Sequence, residues 1–165
     1  MEQEPEMLLP GRAVIVDRLD QMIGTTTAAL DAVPSWPDPP ETSPRFPALY
    51  LVGIQDHEQL RSIDADGCAE AMHEVSRRLD RLVRGSDVLG YTAPGTFALA
   101  AGSVSPESAG ALVERIEGAA ALPIELGGDV VSLRAFVALA FAESGSSGEQ
   151  LMRDAERELD RRMHG

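Results

Sequence analysis

The sequence predicts an α/β (α+β) fold: one mostly antiparallel central sheet with helices packed on it. Three observations carry this. Residues 48–54 form one unbroken apolar run of strand length, and amphipathic-helix and short-strand patterns alternate after it. Ala93-Pro94-Gly95 and Gly127-Gly128-Asp129 supply hairpin turn chemistry. The 165 residues, 44% of them hydrophobic, suffice for one domain with a real core but not for two comfortable ones. The alternation also makes a pure β sandwich or a helical bundle improbable.

The elements follow in order. Residues 1–10 are acidic, end at Pro10 and are expected to fray, leaving a single domain over 11–165. From Gly11 the spacing of Val14, Ile15, Leu19, Met22 and Ile23 predicts a helix. Residues 33–47 hold six of the 11 prolines, which stop both helix and sheet, so a surface loop is expected there. Trp36, the large apolar group among its prolines, belongs either to a loose insertion or to a contact pinning the loop to the body or to a partner. Ala48–Ile54 reads as a central strand covered on both faces. After a polar turn, Cys68, Ala71, Met72, Val75, Leu79 and Leu82 mark a helix to about Val83. Strands are expected over Asp87–Thr92 and Thr96–Ala101. Ser105-Pro106-Glu107-Ser108 opens the next helix with a capping Ser and Pro in the first turn. Gly127-Gly128-Asp129 leads into a strand over Val130–Phe141, and a last helix runs from about Ser147 with Leu151, Ala155 and Leu159 four apart.

Composition narrows the function. Acidic residues outnumber basic ones 27 to 14, a formal charge of −13, and every basic residue is Arg. Such a surface repels phosphate backbones and anionic lipid, so neither DNA or RNA nor a membrane is an expected partner. A single cysteine, Cys68, excludes an intrachain disulfide and a CxxC zinc pair. No apolar run approaches a membrane span and the start is no secretory signal, so a soluble cytoplasmic protein is expected.

The local motifs, taken together, resemble the GGDEF domains of diguanylate cyclases over nearly the whole chain. Leu8-Leu9-Pro10-Gly11-Arg12 is similar to the family's entry to its first helix, and Ala48–Ile54 to its first strand. Glu74-Val75-Ser76-Arg77-Arg78-Leu79 resembles its RRL helix, and Arg84-Gly85-Ser86-Asp87-Val88-Leu89 its R-x-x-D run. Phe97-Ala98-Leu99 resembles the end of the signature hairpin. Ala111-Leu112-Val113-Glu114-Arg115-Ile116 resembles its A-x-x-x-E-R-I helix, and Arg153–Met163 the closing helix. The order and spacing are specific where no single motif is. The resemblance implies a ferredoxin-like, nucleotidyl-cyclase-like sheet.

The departures from the family pattern decide the expected activity. Where active members read G-G-D/E-E-F, this chain reads Ala93-Pro94-Gly95-Thr96-Phe97, and only the phenylalanine survives. Ala93 and Pro94 add side chains, and Pro94 removes a donor, where the family's glycines let backbone approach the nucleotide. Gly95 stands at a metal-binding carboxylate, Thr96 at the following acid, and Gly53 at the metal-binding Asp that ends the first strand. Magnesium needs oxygen ligands, and phosphoryl transfer depends on it to neutralise charge and activate the attacking hydroxyl. Glu58 and Arg61 replace the Lys and Asn of the family's F-K-x-x-N-D stretch, Arg161-Arg162 replaces its closing A-K, and the chain ends without the usual last strand. The expectation is a degenerate domain with no catalytic residues, no metal site, no cofactor and no cyclase activity. Asp56, Glu58, Asp64 and Asp66 read as a solvated acidic loop and not as a rebuilt metal site.

What survives is the R-x-x-D run. In the family it is the inhibitory product site for cyclic di-GMP, a bacterial second messenger, assisted by an Arg from the following helix. Arg84, Asp87 and Arg115 match those places, so the resemblance implies these three as ligand-binding residues. The chemistry suits them: guanidinium forks pair with phosphate or the guanine O6/N7 edge, and a carboxylate accepts from guanine N1–H and N2–H₂. Arg77, Arg78 and Arg81 add positive charge nearby. The competing reading is an i,i+3 surface ion pair between Arg84 and Asp87, worth about 0–1 kcal/mol. His57, His73 and His164 are scattered and read as solvated or half-buried. Ser86, Ser103 and Ser105 read as turn or cap residues, and Gly127-Gly128-Asp129 as an ordinary tight turn. The leading expectation is therefore a silent signalling module that binds cyclic di-GMP. The alternatives are a protein-interaction or homodimerisation domain that binds no nucleotide, and, least favoured, a GTP-binding domain without turnover.

Overall fold

The structure, a computed structural model, describes residues 9–31, 45–143 and 145–164, with side chains 26–31 left aside. The expectations for residues 1–8 and for most of the Pro-rich loop, Trp36 included, lie outside the described residues. The elements are α1 (Arg12–Asp31), β1 (Phe46–Ile54), α2 (His57–Ile63), α3 (Ala65–Asp80), β2 (Val88–Ala93), β3 (Thr96–Val104), α4 (Pro106–Ala121), β4 (Ile124–Leu126), β5 (Asp129–Val131), β6 (Ala135–Phe141) and α5 (Gly148–His164).

Four strands form one antiparallel sheet in the order β2-β3-β1-β6. β1 is central because its whole length is apolar and its two faces have different tenants. Ala48, Tyr50, Val52 and Ile54 pack beneath α3 and α4 with Phe97, Leu99 and Val137. Leu49 and Leu51 point the other way, against Ile15 and Leu19 of α1 and Leu151, Met152, Ala155 and Leu159 of α5. The period-two alternation of a strand thus builds a three-layer α/β/α body from a run that shows no alternation in sequence.

Helix ends follow the local chemistry. Asp64 caps α3, its carboxylate accepting from Gly67 N–H at 3.0 Å. Ser105 caps α4 through Ser108 N–H at 3.3 Å, with Pro106 in the first turn as expected. Arg12 joins α1 to α5 by reaching Glu149 and Glu156, each at 3.0 Å. Arg78 donates to the carbonyls of Ala119, Leu122 and Pro123 at 3.3, 2.6 and 2.8 Å. Those are orphan acceptors where α4 ends.

Several expectations need correction. The polar turn after β1 holds a helix, α2, whose seven residues are too few to display a periodic apolar face. Asp56, Glu58, Asp64 and Asp66 consequently do not share one solvated loop: Asp56 and Asp64 flank α2, Glu58 is in its first turn and Asp66 is in the first turn of α3. His57 is 3% exposed, not solvated, because α2 seats it under the β2–β3 turn, where Gly95 closes over its ring. Val130–Phe141 is not one strand. β4 and β5 form a separate hairpin, and the chain breaks at 132–134 before β6 enters the main sheet. β1 starts earlier than expected and includes Pro47, so the Pro-rich loop stops before Phe46.

Candidate functional site

Arg84, Asp87 and Arg115 come from three places: the turn before β2, the residue just ahead of β2, and the outer face of α4. The fold brings all three to one cavity of about 490 Å³, whose lining also includes Arg45, Tyr50, Ser103 and Leu112. The turn itself is well formed. Asp87 N–H donates to the Arg84 carbonyl at 2.8 Å, Gly85 takes a φ of +51° that favours glycine, and the Asp87 carboxylate accepts from Arg84 backbone N–H at 3.3 Å.

That geometry answers the competing surface-pair reading. The Asp87 side chain is bound to the backbone of Arg84, not to its guanidinium, and among the described residues neither Arg84 nor Arg115 makes an ion pair within 4.0 Å. Several other arginines show what a consumed one looks like: Arg77 and Arg78 are both paired with Glu74, and Arg161 and Arg162 with Glu158. Of the arginines expected to add positive charge locally, Arg78 is spent on tying α3 to the end of α4.

Burial raises the Asp87 pKa above the ordinary carboxylate range, against the opposing pull of backbone N–H groups from Arg84 and Gly102 and the Arg84 charge. Tyr50 lies on the same lining, and burial with the nearby Asp87 charge pushes its hydroxyl up to about 12. A partly desolvated carboxylate and a buried phenol beside exposed guanidinium groups give this cavity, otherwise lined in good part by apolar side chains, a cationic rim. Sequence reasoning missed Tyr50 and Arg45. Tyr50 carries a side-chain hydroxyl inside an otherwise apolar run, which is the signal that could have singled it out.

The second location is the β2–β3 turn and the end of β1. Gly53 pairs with Thr96, and Ile54 N–H donates to the Gly95 carbonyl at 2.9 Å, so the sheet does bring together the positions expected to be degenerate. Pro94 and Gly95 form the turn, with Gly95 at φ +75° as the second central residue of a type II turn requires. Tyr91 hydroxyl accepts Gly95 N–H at 2.6 Å, and the Tyr91 and Phe97 rings lie 4.8 Å apart. A β-carbon at Gly53 would lie 2.5 Å from Met163 Sδ and 3.1 and 3.2 Å from the Leu159 methyls. One at Gly95 would lie 2.7 Å from both Cβ and Cγ of His57.

Comparison with solved structures decides what this architecture is. A sensory box/GGDEF family protein from Caulobacter crescentus CB15 matches with a TM-score of 0.78 at 18% identity, covering 96% of this chain and 97% of that one. The GGDEF domain of DgcB from Caulobacter crescentus, crystallised in complex with c-di-GMP, matches with a TM-score of 0.79 at 13% identity, covering 98% and 89%. The fold is that of a GGDEF domain.

Diguanylate cyclase SiaD from Pseudomonas aeruginosa, crystallised with its activator SiaC, shares the GGDEF fold with a TM-score of 0.77 at 18% identity. The match covers 92% of this chain and 54% of SiaD. No family model and no curated protein matches the sequence. Within this GGDEF fold the divalent cations that the resemblance implies do not fit the residues present. Gly53 and Gly95 offer no side-chain oxygen, and their side-chain space is taken by Met163, Leu159 and His57. Among the described residues no three His, Cys, Asp or Glu side chains gather closely enough to hold a metal ion. Among the same residues no helix is long and apolar enough to cross a membrane.

Proposed function

We propose that this GGDEF-fold domain is a catalytically silent signalling module that binds cyclic di-GMP at the Arg84–Asp87–Arg115 cavity. The observation that carries the reading is the convergence on one cavity of a part-buried carboxylate and two exposed arginines that make no ion pair among the described residues, in a chain of net charge −13. Among the described residues neither guanidinium has an ion-pair partner, and their forks match phosphate and guanine. Asp87 offers the acceptor for the guanine N1–H and N2–H₂ edge. That DgcB was crystallised with c-di-GMP in the same fold supports the ligand class.

Silence rests on the other location. Cyclisation of GTP needs a cation to neutralise the transferring phosphoryl group and activate the attacking hydroxyl. The filled side-chain space at Gly53 and Gly95 supports the reading that none is held there. Calorimetric titration with cyclic di-GMP and with GTP tests the proposal. Saturable cyclic di-GMP binding that Arg84→Ala abolishes is expected, with no cyclic dinucleotide made from GTP and Mg²⁺ or Mn²⁺. Binding of neither nucleotide at high micromolar concentration removes the module reading, and turnover abolished by a chelator removes the claim of silence.

One observation favours a second reading, a protein-interaction module. Among the described residues β6 pairs only with β1, so one edge of the sheet is open. A groove of about 860 Å³ runs beside it between α4 and α5. Such an edge is a template for an added strand.

A further inference from the structure

Tyr50, which lines the Arg84–Asp87–Arg115 cavity, carries a buried hydroxyl with no hydrogen-bond partner among the described residues. Tyr50 is in the middle of the central strand, 0% exposed, and its ring packs in the core beneath α3 and α4. Burying a hydroxyl without a partner costs stability, and a phenylalanine would keep the ring packing without that cost. Among the described residues, therefore, nothing in the free domain calls for the oxygen.

The cavity has two chemically different ends. Its rim is cationic: Arg45, Arg84 and Arg115 all line it and all are exposed. Its inner part is formed by buried Tyr50 and half-buried Asp87, whose charge Tyr50 feels. An inorganic anion satisfies the rim alone. A ligand that satisfies both ends must carry an anionic group together with a neutral, planar, hydrogen-bonding face, as a purine nucleotide does.

We propose that Tyr50 is a specificity-determining residue of this cavity, its hydroxyl hydrogen-bonding the base of a purine nucleotide whose phosphate is held by the arginine rim. This rests on the reading that the cavity takes cyclic di-GMP, and it adds a residue from the core strand to the three surface residues of that reading. The test is calorimetric titration of the wild type and Tyr50→Phe with cyclic di-GMP, beside thermal denaturation of both free proteins. The expected result is about tenfold weaker binding by Tyr50→Phe, the loss of one hydrogen bond. Its free-state Tm should equal or exceed that of the wild type. Unchanged affinity overturns the role of Tyr50 and leaves the cyclic di-GMP reading standing. A Tm several degrees lower overturns it too, because the hydroxyl would then be satisfied within the free domain. Failure of the wild type to bind overturns both.

Discussion

Restoring an aspartate at Gly53 should damage the domain before it affects any chemistry. The added Cβ would lie 2.5 Å from Met163 Sδ and 3.1 and 3.2 Å from the two Leu159 methyls. Ordinary carbon contacts are about 3.5–4.0 Å, so the Met163 thioether must swing aside by roughly 1 Å. Because the obstructing atoms are the ends of flexible side chains, this displacement costs about 1 kcal/mol, the low end for overpacking. The carboxylate, facing Leu159 and Met163, adds about 1–3 kcal/mol for a polar group left without partners. A loss near 3 kcal/mol is a large share of the roughly 5–15 kcal/mol that holds a domain together. At about 2–4 °C per kcal/mol it lowers Tm by roughly 6–12 °C. Circular dichroism melts of wild type, Gly53→Ala and Gly53→Asp separate the steric part from the carboxylate part. Because Met163 makes the shortest contact, Gly53→Asp in a Met163→Ala background should cost about 1 kcal/mol less than in the wild type. A Gly53→Asp protein melting within about 1 °C of wild type would refute the reasoning.

Other expectations follow from the same contacts. Arg115→Ala should weaken cyclic di-GMP binding by about tenfold or more without shifting the free-state melt, since its guanidinium pairs with nothing within the described residues. Asp87→Asn should abolish tight binding yet stabilise the free domain at neutral pH. With its folded pKa raised by burial, Asp87 contributes stability that is fully present below the ordinary carboxylate range and lost as pH rises through its elevated pKa. The variant's advantage should therefore grow from pH 3 to pH 7, and melts across that range check it. Arg78→Ala should cost about 1 kcal/mol in denaturant unfolding, because it removes the hydrogen bonds that tie α3 to the exposed end of α4, whose Leu122 and Pro123 carbonyls then turn to water.

The parts of the fold readable in the sequence were those with strong periodicity or turn chemistry. β1 was visible as an apolar run, α3 and α4 through their stripes and the Ser105 cap, and the β2–β3 hairpin through Pro94-Gly95. α2 was not readable, because seven residues with Leu60 and Ile63 as their only large aliphatics give no period. The break between β5 and β6 was hidden because Ser132-Leu133-Arg134 carries no Gly or Pro, and Leu133 is buried like a strand residue. Arg84, Asp87 and Arg115 came from resemblance, and nothing local in the sequence says that they share a cavity. The face of β1 on which Tyr50 stands was also unreadable, since in a strand apolar on both faces only the register decides it.

Amide chemical-shift mapping with cyclic di-GMP tests the central claim most directly, because it reads both locations in one titration. The account predicts large shifts for Arg84–Asp87 and for the α4 amides around Arg115, with the amides of Gly53, Ile54 and Gly95 unmoved. Shifts confined to Gly53, Ile54 and Gly95, or none anywhere at saturating ligand, would contradict it.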